Sequence, residues 1–271
     1  MSVSIGNNNN SLFIQNKNND VKTRLDKTFE QLASGRRINQ ASDDAAGLAI
    51  ATRLQSQETG FNTAARNAND GVSLSQVAEG GLQSVNDNLQ RIRELSVQAA
   101  NATLGNSERK ALNEEAQSLK DEISRVVETT EFGGVKVLSQ NDTLDFQVGA
   151  QANQTISLET KDLRDSLSSL DNLDLSTAAG AQTAIATTDS AISSVVDQSA
   201  EFGAVQNRFE SAISSLGKAA ENTAQARSRI QDTDFAAATA NLTRDSILNQ
   251  AGLALQKQAN QDARVVASLL S

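Results

Sequence analysis

The end of the chain carries apolar side chains at helical spacing. Steps of three and four residues separate the apolar positions between residues 247 and 270, as expected for an amphipathic helix with one apolar face. These positions are Leu248, Ala251, Leu255, Ala259, Ala263, Val266 and Leu270. Chain ends are usually frayed unless their apolar face is covered, so this helix requires a packing partner.

The beginning of the chain shows a matching pattern. From Ile14 to Leu32, steps of four and three residues alternate, which is heptad spacing. We therefore predict two paired terminal helices, within residues 1–34 and 236–271. The side chains expected to pack on these helices are Val21, Leu25, Leu32, Leu248, Leu255, Val266 and Leu270.

Two interpretations of the terminal stripes differ in what covers them. In the first, residues 14–32 and 248–270 form an ordinary coiled coil within one chain. In the second, the pair is marginal alone and becomes fully ordered only against other copies, because polar Asn18 and Thr28 interrupt one seam and alanines weaken the other. Isolated helices gain most of their stability by burying an apolar face. We favour the second interpretation, in which folding is coupled to assembly.

Long helices are predicted between the terminal segments. Heptad frames run from Ala78 to Ala99, from Leu112 to Val126 and from Ile185 to Ala220. The last helix would continue to about residue 230, a length of roughly 70 Å at 1.5 Å per residue. Asp70-Gly71 resembles a turn, but its helical flanks favour a continuous helix. Ser42, followed by two aspartates, is expected to begin a helix through its hydroxyl.

Between residues 133 and 160 the apolar period changes from that of a helix to that of a strand. Apolar residues alternate with polar ones in "VKV", "TLDFQVG" and "TISLET", and a Gly-Gly pair precedes the first segment. This alternation predicts short strands, as one small antiparallel sheet or as two hairpins.

The order of segments is nearly symmetric about the middle of the chain. We predict joints at 35–46 and 226–235, and a helical bundle domain formed by 47–175 and 176–225. The fold is therefore mainly α, a long antiparallel helical bundle or coiled coil with paired N- and C-terminal helices. Ion pairs across the joints are expected among Arg36, Arg37, Asp43, Asp44, Asp232 and Asp234.

Composition removes several functional classes. The chain has no Cys, Pro, His, Trp or Tyr, which excludes thiolate metal sites and histidine-based catalysis. The net charge of −9 and scattered basic residues argue against nucleic-acid binding. No cofactor, metal or membrane span is expected, and the first residues do not resemble a Sec-type signal peptide. Carboxylates on helix surfaces give little support for an enzyme.

Several long segments resemble bacterial flagellin. They are "LASGRRINQASDDAAGLAIATRL", "NANDGVSLSQVAEGGLQSVNDNLQRIRELSVQAAN", "FGGVKVL" and "NLTRDSILNQAGLALQKQAN" with a closing "ASLL". The resemblance covers about residues 5–165 and 180–271, in order. It implies a terminal paired-helix domain and a helical bundle with a hairpin region. Because residues 165–180 leave no room for the variable outer domains, the chain resembles a short flagellin.

The resemblance also implies a function and partners. The chain would be a structural subunit of the bacterial flagellar filament, secreted without a cleaved Sec signal and assembled into an extracellular helical tube that transmits motor torque. Expected partners are further copies of itself, an export chaperone, and the cap and junction proteins. The alternatives are a hook-filament junction protein, a non-flagellar secreted coiled-coil protein, or an enzyme that uses carboxylates alone.

Contact residues carried over from the family lie in the bundle. By resemblance, Arg91, Leu95 and Glu115 contact the next subunit, and the host Toll-like receptor that senses flagellin binds the same surface in some bacterial groups. The pattern itself places Val85, Leu89 and Ile92 in a seam and leaves Arg91, Glu94 and Leu95 pointing partly outward. An Arg91–Glu94 pair on a solvated helix face is the simpler alternative.

Overall fold

The computed structural model describes residues 8–269, and within that range it leaves the side chains of residues 263 and 266–269 undescribed. Six α-helices and four strands follow one another along this part of the chain. The helices are α1 (Asn9–Ser34), α2 (Ala45–Ala99), α3 (Asn106–Thr129), α4 (Leu163–Leu167), α5 (Ala178–Gln231) and α6 (Phe235–Leu269). The strands are β1 (Glu131–Phe132), β2 (Val135–Lys136), β3 (Asp142–Gln147) and β4 (Thr155–Thr160).

Contacts divide the chain into two units. Unit 1 takes residues up to 56 and from 222 onward, and unit 2 takes residues 57–221. The chain passes between the units within α2 and α5, which continue without a break. The predicted continuous helix at Asp70-Gly71 is confirmed, and the alternative of a turn there is wrong.

Unit 1 contains α1 and α6 side by side and antiparallel. Gly35 ends α1 in the left-handed conformation (φ 69°), where a residue without Cβ avoids a steric penalty. The chain then pairs with the segment before α6, through an isolated bridge between Arg36 and Asp232. The amide of Thr233 donates to the carbonyl of Gly35 at 3.0 Å. These backbone bonds hold the joints together.

Aspartates cap the two helices that leave the joints. Asp44 Oδ1 accepts a hydrogen bond from the amide of Gly47 at 2.8 Å, so Asp44 caps α2 in place of the predicted Ser42. Asp234 Oδ1 accepts from the amides of Ala236 and Ala237 at the start of α6. The short carboxylate reaches the free amides of the first turn and suits the positive end of the helix dipole.

Unit 2 has its core along α2, between α3 and α5. Every residue of the predicted seam on α2 is fully buried: Ala78, Leu82, Val85, Leu89, Ile92, Ser96 and Ala99 are 0% exposed. At the end of α2, the buried guanidinium of Arg109 donates to the carbonyls of Ala99 and Asn101, both at 2.9 Å. The positive charge thus satisfies carbonyls that the helix end leaves free.

The strands form two separate hairpins. Gly133 and Gly134 make the turn between β1 and β2, both with positive φ (59° and 85°), a conformation that glycine adopts at little cost. Strands β3 and β4 pair antiparallel from Asp142 opposite Thr160 to Gln147 opposite Thr155. Alternate residues of β4 are buried, namely Ile156, Leu158 and Thr160. The expectation of two hairpins is correct and that of one sheet is not.

A short leucine-rich segment follows the second hairpin. It contains α4 and a 3-10 turn (Ser168–Asn172), and its buried side chains are Leu163, Leu167, Leu170, Leu173 and Leu175. Helix α3 fixes its end, since Gln117 donates to the carbonyl of Leu173 and Asn113 accepts from the amide of Leu175, each at 2.8 Å. The segment covers the core and leads directly into α5.

Candidate functional site

The large apolar residues of the terminal helices include many that are uncovered. On α6, Leu248 is 45% exposed, Leu255 58% and Ile247 61%. Other exposed apolar side chains of unit 1 are Leu12, Phe13, Phe29, Ile50, Phe235, Leu253 and Val265. Soluble monomers seldom leave so many large apolar side chains on one pair of helices in water, so these faces indicate an interaction surface.

The predicted packing residues divide between two surfaces. On α1, Val21 is buried and Leu25 and Leu32 are half-buried in the seam with α6. Leu248 and Leu255 lie outside that seam. The side chain of Val266 and all of Leu270 lie outside the described part of the structure.

The alternative in which the leucine stripe of α6 packs within the chain is therefore wrong. The pattern placed Leu248 and Leu255 on one stripe, which in the intramolecular alternative would cover α1, but α6 is rotated so that a different face meets α1. The residues of that face are buried or half-buried, and they are Ala238, Leu242, Asp245, Asn249, Gly252, Gln256 and Ala259. Most are polar or small, so pairing within the chain leaves the leucine stripe available to other molecules.

Polar contacts join α1 to α6 along this seam. Near the start of α1, Ser11 Oγ donates to Asn260 Oδ1 at 2.8 Å, and Asn8 Nδ2 donates to the carbonyl of Ala259 at 3.0 Å. Further along, Asn249 Nδ2 donates to Asn18 Oδ1 at 3.4 Å.

An ion pair crosses the same seam beyond Asn18. Arg24 Nη2 lies 3.4 Å from Asp245 Oδ1, and the Asp245 side chain is only 5% exposed. Because Arg24 remains half in solvent, with 53% of its side chain exposed, it can neutralise the buried carboxylate without being buried itself.

The ion pairs expected between the joint at 35–46 and the joint at 226–235 do not form among the described residues. Asp44 and Asp234 cap helices, as described above, and Asp43 pairs instead with Lys27 of α1, at 2.8 Å. Arg37 donates to the carbonyl of Ile230 at 2.6 Å, and Asp232 Oδ2 accepts from Ser228 at 2.6 Å. Backbone groups and neighbouring side chains therefore replace the expected partners of five of these residues, namely Arg37, Asp43, Asp44, Asp232 and Asp234.

Arg91 and Glu115 form an exposed pair that joins α2 to α3. Nη2 of Arg91 lies 2.8 Å from Glu115 Oε1, and Nη1 lies 3.0 Å from Glu94 Oε2. The hydrogen bond to Glu115, and then the one to Glu94, raises the pKa of the guanidinium above its ordinary value. Half of the Arg91 side chain is exposed, so the pair offers a charged surface to a partner.

Leu95 does not belong to that surface. The expectation that Leu95 points partly outward is wrong, because its side chain is 1% exposed and lies in the core of unit 2. Helix α2 packs on more than one side here, so both Leu95 and its neighbour Ser96 are buried. A single heptad seam allows only one of two such neighbours to face inward.

No group of three or more His, Cys, Asp or Glu residues lies close enough to hold a metal ion in residues 8–269. In the same part of the chain, no helix has the length and apolar character needed to cross a bilayer.

The structure and its surfaces define a class. Long helices form a well-packed bundle in one unit, while the paired terminal helices of the other leave their apolar faces uncovered. This combination is typical of a helical structural protein that assembles with other molecules.

Comparison with known families gives the identity. A model of the bacterial flagellin N-terminal helical region matches residues 5–143. A model of the bacterial flagellin C-terminal helical region matches residues 185–270. The chain belongs to the bacterial flagellin family.

Individual relatives agree. The chain is 44% identical to a flagellin of Halalkalibacterium halodurans, over 90% of this chain and 91% of the relative. It is 37% identical to the flagellar filament 30.7 kDa core protein of Treponema maltophilum, over 94% of each. With polar flagellin F of Vibrio parahaemolyticus it shares 31% identity over the whole of both chains, in an alignment of 376 positions. This chain has 271 residues, so that alignment contains 105 positions that it lacks.

Solved structures share the fold. The crystal structure of Bacillus cereus flagellin matches with a TM-score of 0.52 and 29% identity, over 56% of this chain and 88% of that one. A putative flagellar hook-associated protein from Vibrio parahaemolyticus matches with a TM-score of 0.62 over 70% of this chain and all of that one, but at 14% identity it shows only a common fold. The protein is thus a short flagellin, a structural subunit of the extracellular flagellar filament, which assembles into a helical tube and transmits torque for swimming.

Proposed function

We propose that subunits of the filament join through the uncovered apolar faces of α1 and α6. The terminal segments 1–34 and 236–271 act as one assembly domain, and residues 47–225 form the bundle domain between the joints. The exposure of Leu248 and Leu255 on α6 supports this assignment. Full burial of an exposed leucine contributes about 1.5–3 kcal/mol, and burial of the exposed half of each side chain contributes part of that. A single chain does not gain this stabilisation, and a neighbouring chain supplies it.

Electron microscopy of purified protein seeded with filament fragments tests the proposal. Deletion of residues 236–271 is expected to abolish long tubes, while circular dichroism shows that the helices of unit 2 are retained, since the deletion removes no residue of that unit. L248S combined with L255S is expected to reduce tube length in the same way without loss of unit 2.

A matched control uses two exposed polar residues of the same helix. Q250S combined with Q261S changes two exposed positions of α6 and leaves the apolar faces intact, so tubes of normal length are expected. Normal tubes from the leucine double variant or from the deletion would contradict assembly through these faces.

A second contact surface is proposed at Arg91 and Glu115. Their exposed pair supports a polar contact with the next subunit, and we propose that the host flagellin-sensing Toll-like receptor binds the same surface. Binding of soluble monomer to the receptor ectodomain is expected to weaken at least tenfold, about 1.4 kcal/mol, in R91A with E115A. Leu95 is left out because its truncation would open a cavity in the core. Unchanged binding by this variant would exclude the receptor contact.

Partners in export and assembly follow from the same terminal faces. We propose that an export chaperone covers the apolar face of α6 before assembly, and that cap and junction proteins contact the terminal helices. We also propose that its role is mechanical and not catalytic. A chaperone that co-purifies with the full chain should be lost with residues 236–271, and its retention would place its site elsewhere.

A further inference from the structure

The face of α6 that meets α1 is unusual for a helix pair. In most two-helix seams the large apolar residues face each other. Here Leu242 is the only large apolar residue among the described seam positions of α6, which otherwise carry alanine, glycine, asparagine, glutamine and aspartate. Asp245 is 4% exposed, so one of the most buried positions of the seam carries a carboxylate.

The polar contacts of the seam all agree with one antiparallel alignment. Ser11 meets Asn260, Asn18 meets Asn249 and Arg24 meets Asp245. As the residue number rises along α1, that of the partner on α6 falls. The contacts therefore occur at three levels of the pair, and each specifies the same register.

Gly252 adds a steric condition at the middle level. A Cβ atom at this position would lie 2.9 Å from Asn18 Oδ1, a distance that real Cβ contacts avoid. The missing side chain thus makes room for the Asn18 amide opposite. If α6 slid by one turn, the glycine would no longer lie opposite Asn18, and Gln256 or Leu248 would approach that amide.

Polar and apolar seams respond differently to such a slide. After a shift of one turn, leucines contact other leucines and the packing free energy of the seam changes little. An apolar seam alone therefore discriminates weakly between registers. A polar seam leaves donors, acceptors and the Asp245 carboxylate without partners after the same shift. The loss is largest at Asp245, because that carboxylate is buried. A single buried asparagine is known to specify register in coiled coils for this reason.

We propose that the polar ladder formed by Ser11, Asn18, Arg24, Asp245, Asn249 and Asn260 fixes the register of α1 against α6. The ladder selects one alignment of the two terminal helices and keeps the leucines of α6 on the outer side. Every subunit then presents the same apolar surface to its neighbours, a requirement for a helical array of identical contacts. This step rests on the proposed assembly through the outer faces of α1 and α6.

Cysteine pairs test the register directly, because the chain contains no cysteine of its own. S11C with N260C reports the observed register, since the two side chains are in contact. I14C with N260C reports a shift of one turn, because Ile14 lies on the same half-buried face of α1, three residues beyond Ser11. In a glutathione buffer, each intrachain disulfide forms to an extent set by how often its two cysteines meet. The equilibrium ratio of the two disulfides therefore measures the relative populations of the two registers, even if α1 and α6 are paired in only a small fraction of the soluble chains.

The pairs are compared in three backgrounds. With the Asn18–Asn249 and Arg24–Asp245 contacts of the ladder intact, the S11C–N260C disulfide is expected to be favoured at least about tenfold over I14C–N260C. In N18L with N249L, the preference is expected to fall to about threefold or less, although helix content is kept or rises. The control K22L with Q250L adds two leucines at exposed positions of the same helices and is expected to keep the native preference.

The disulfide ratios test register selection by the ladder, and they do so independently of the proposed assembly. A preference that survives in N18L with N249L, or an equal yield of both disulfides in the native background, would overturn register selection by the ladder. Tube formation by the unmodified chain is read independently by electron microscopy. Tubes without register selection would refute the ladder alone, whereas a failure to form tubes would refute the proposed assembly.

Discussion

At the residue scale, Asp43 connects the joint to α1. Its Oδ2 accepts hydrogen bonds from the amides of Asn39 and Gln40 at 3.1 and 3.3 Å, and its Oδ1 lies 2.8 Å from Lys27 Nζ. The hydrogen bond from Lys27, followed by the one from the Asn39 amide, lowers the pKa of Asp43 below its ordinary value of 3.8, against the opposing effect of burial. The carboxylate therefore stabilises the folded joint when it is ionised.

The sign of this linkage gives a pH prediction. Because the folded-state pKa is the lower one, the stabilisation is present above the unfolded pKa and is lost as the pH falls through the folded pKa. Hydrogen-exchange protection of the peptide 36–44, corrected for intrinsic exchange, is expected to fall in the native chain below about pH 4. In D43N the protection should already be several-fold lower at pH 7 and should change little on acidification.

An exposed aspartate of α1 provides the control. D26N is expected to leave the protection of peptide 36–44 and its pH dependence as in the native chain, because Asp26 lies on the exposed side of the helix. Glu122, Asp162 and Asp174 also have lowered pKa values, but they lie in unit 2 and outside the measured peptide. Equal pH profiles for D43N and the native chain would show that Asp43 does not control the joint.

At the element scale, Gly71 sets how closely α2 approaches α5. A Cβ atom there would lie 2.6 Å from the Phe209 ring, which is fully buried and packs edge-on against Phe146 with ring centroids 5.2 Å apart. The ring has little freedom to move away. G71A is therefore expected to lower the free energy of unfolding of unit 2 by about 1–3 kcal/mol, although alanine is the better helix former.

Gly80 of the same helix is the matched control. A Cβ atom at this position would meet no atom within 4 Å, so G80A is expected to raise the free energy of unfolding by up to about 1 kcal/mol. Urea unfolding followed by circular dichroism measures both variants. Opposite signs are the expected outcome, and a stabilised G71A would show that α2 and α5 can separate there without loss.

The helices were predictable from spacing, but the faces they bury were predictable only in part. The seam of α2 from Ala78 to Ala99 is correct because its apolar residues pack within the chain. For α6 the intramolecular alternative was wrong, because it assigned the largest apolar residues to the nearest partner, whereas the favoured interpretation assigned them to other copies. Where the large apolar residues pack on other molecules, the strongest apolar stripe identifies the face that contacts those molecules. It does not identify the face that packs within the chain. No pattern of one sequence separates these two cases.

Contacts at the site were harder to predict than the elements that carry them. The pair of Lys27 with Asp43 and that of Arg24 with Asp245 join residues distant in sequence, and spacing along one helix contains no information about them. The Arg91–Glu94 pair was predictable from its i,i+3 spacing. Leu95 was misplaced because a heptad describes a helix with one partner, whereas α2 is covered on more than one side.

At the scale of the whole molecule, stability is unevenly distributed. Unit 2 buries the large majority of the chain's fully buried leucines and phenylalanines, whereas on the terminal helices Val21, Thr28, Ala238 and Asp245 are the described residues classed as buried. Paired helices with so little apolar burial are marginal in water. Local opening of α1 and α6 should therefore require far less free energy than opening of unit 2.

Hydrogen exchange on soluble chain and on filaments tests this difference. In the soluble chain, amides of α1 and α6 are expected to exchange at least about a hundredfold faster than those of α2 between residues 78 and 99. In filaments the terminal amides should become as protected as unit 2, with a rise in helix content by circular dichroism, because neighbouring subunits then cover Leu248 and Leu255. If the terminal helices of the dilute chain were already as protected as unit 2, their order would not depend on assembly, and their exposed apolar faces would need another explanation.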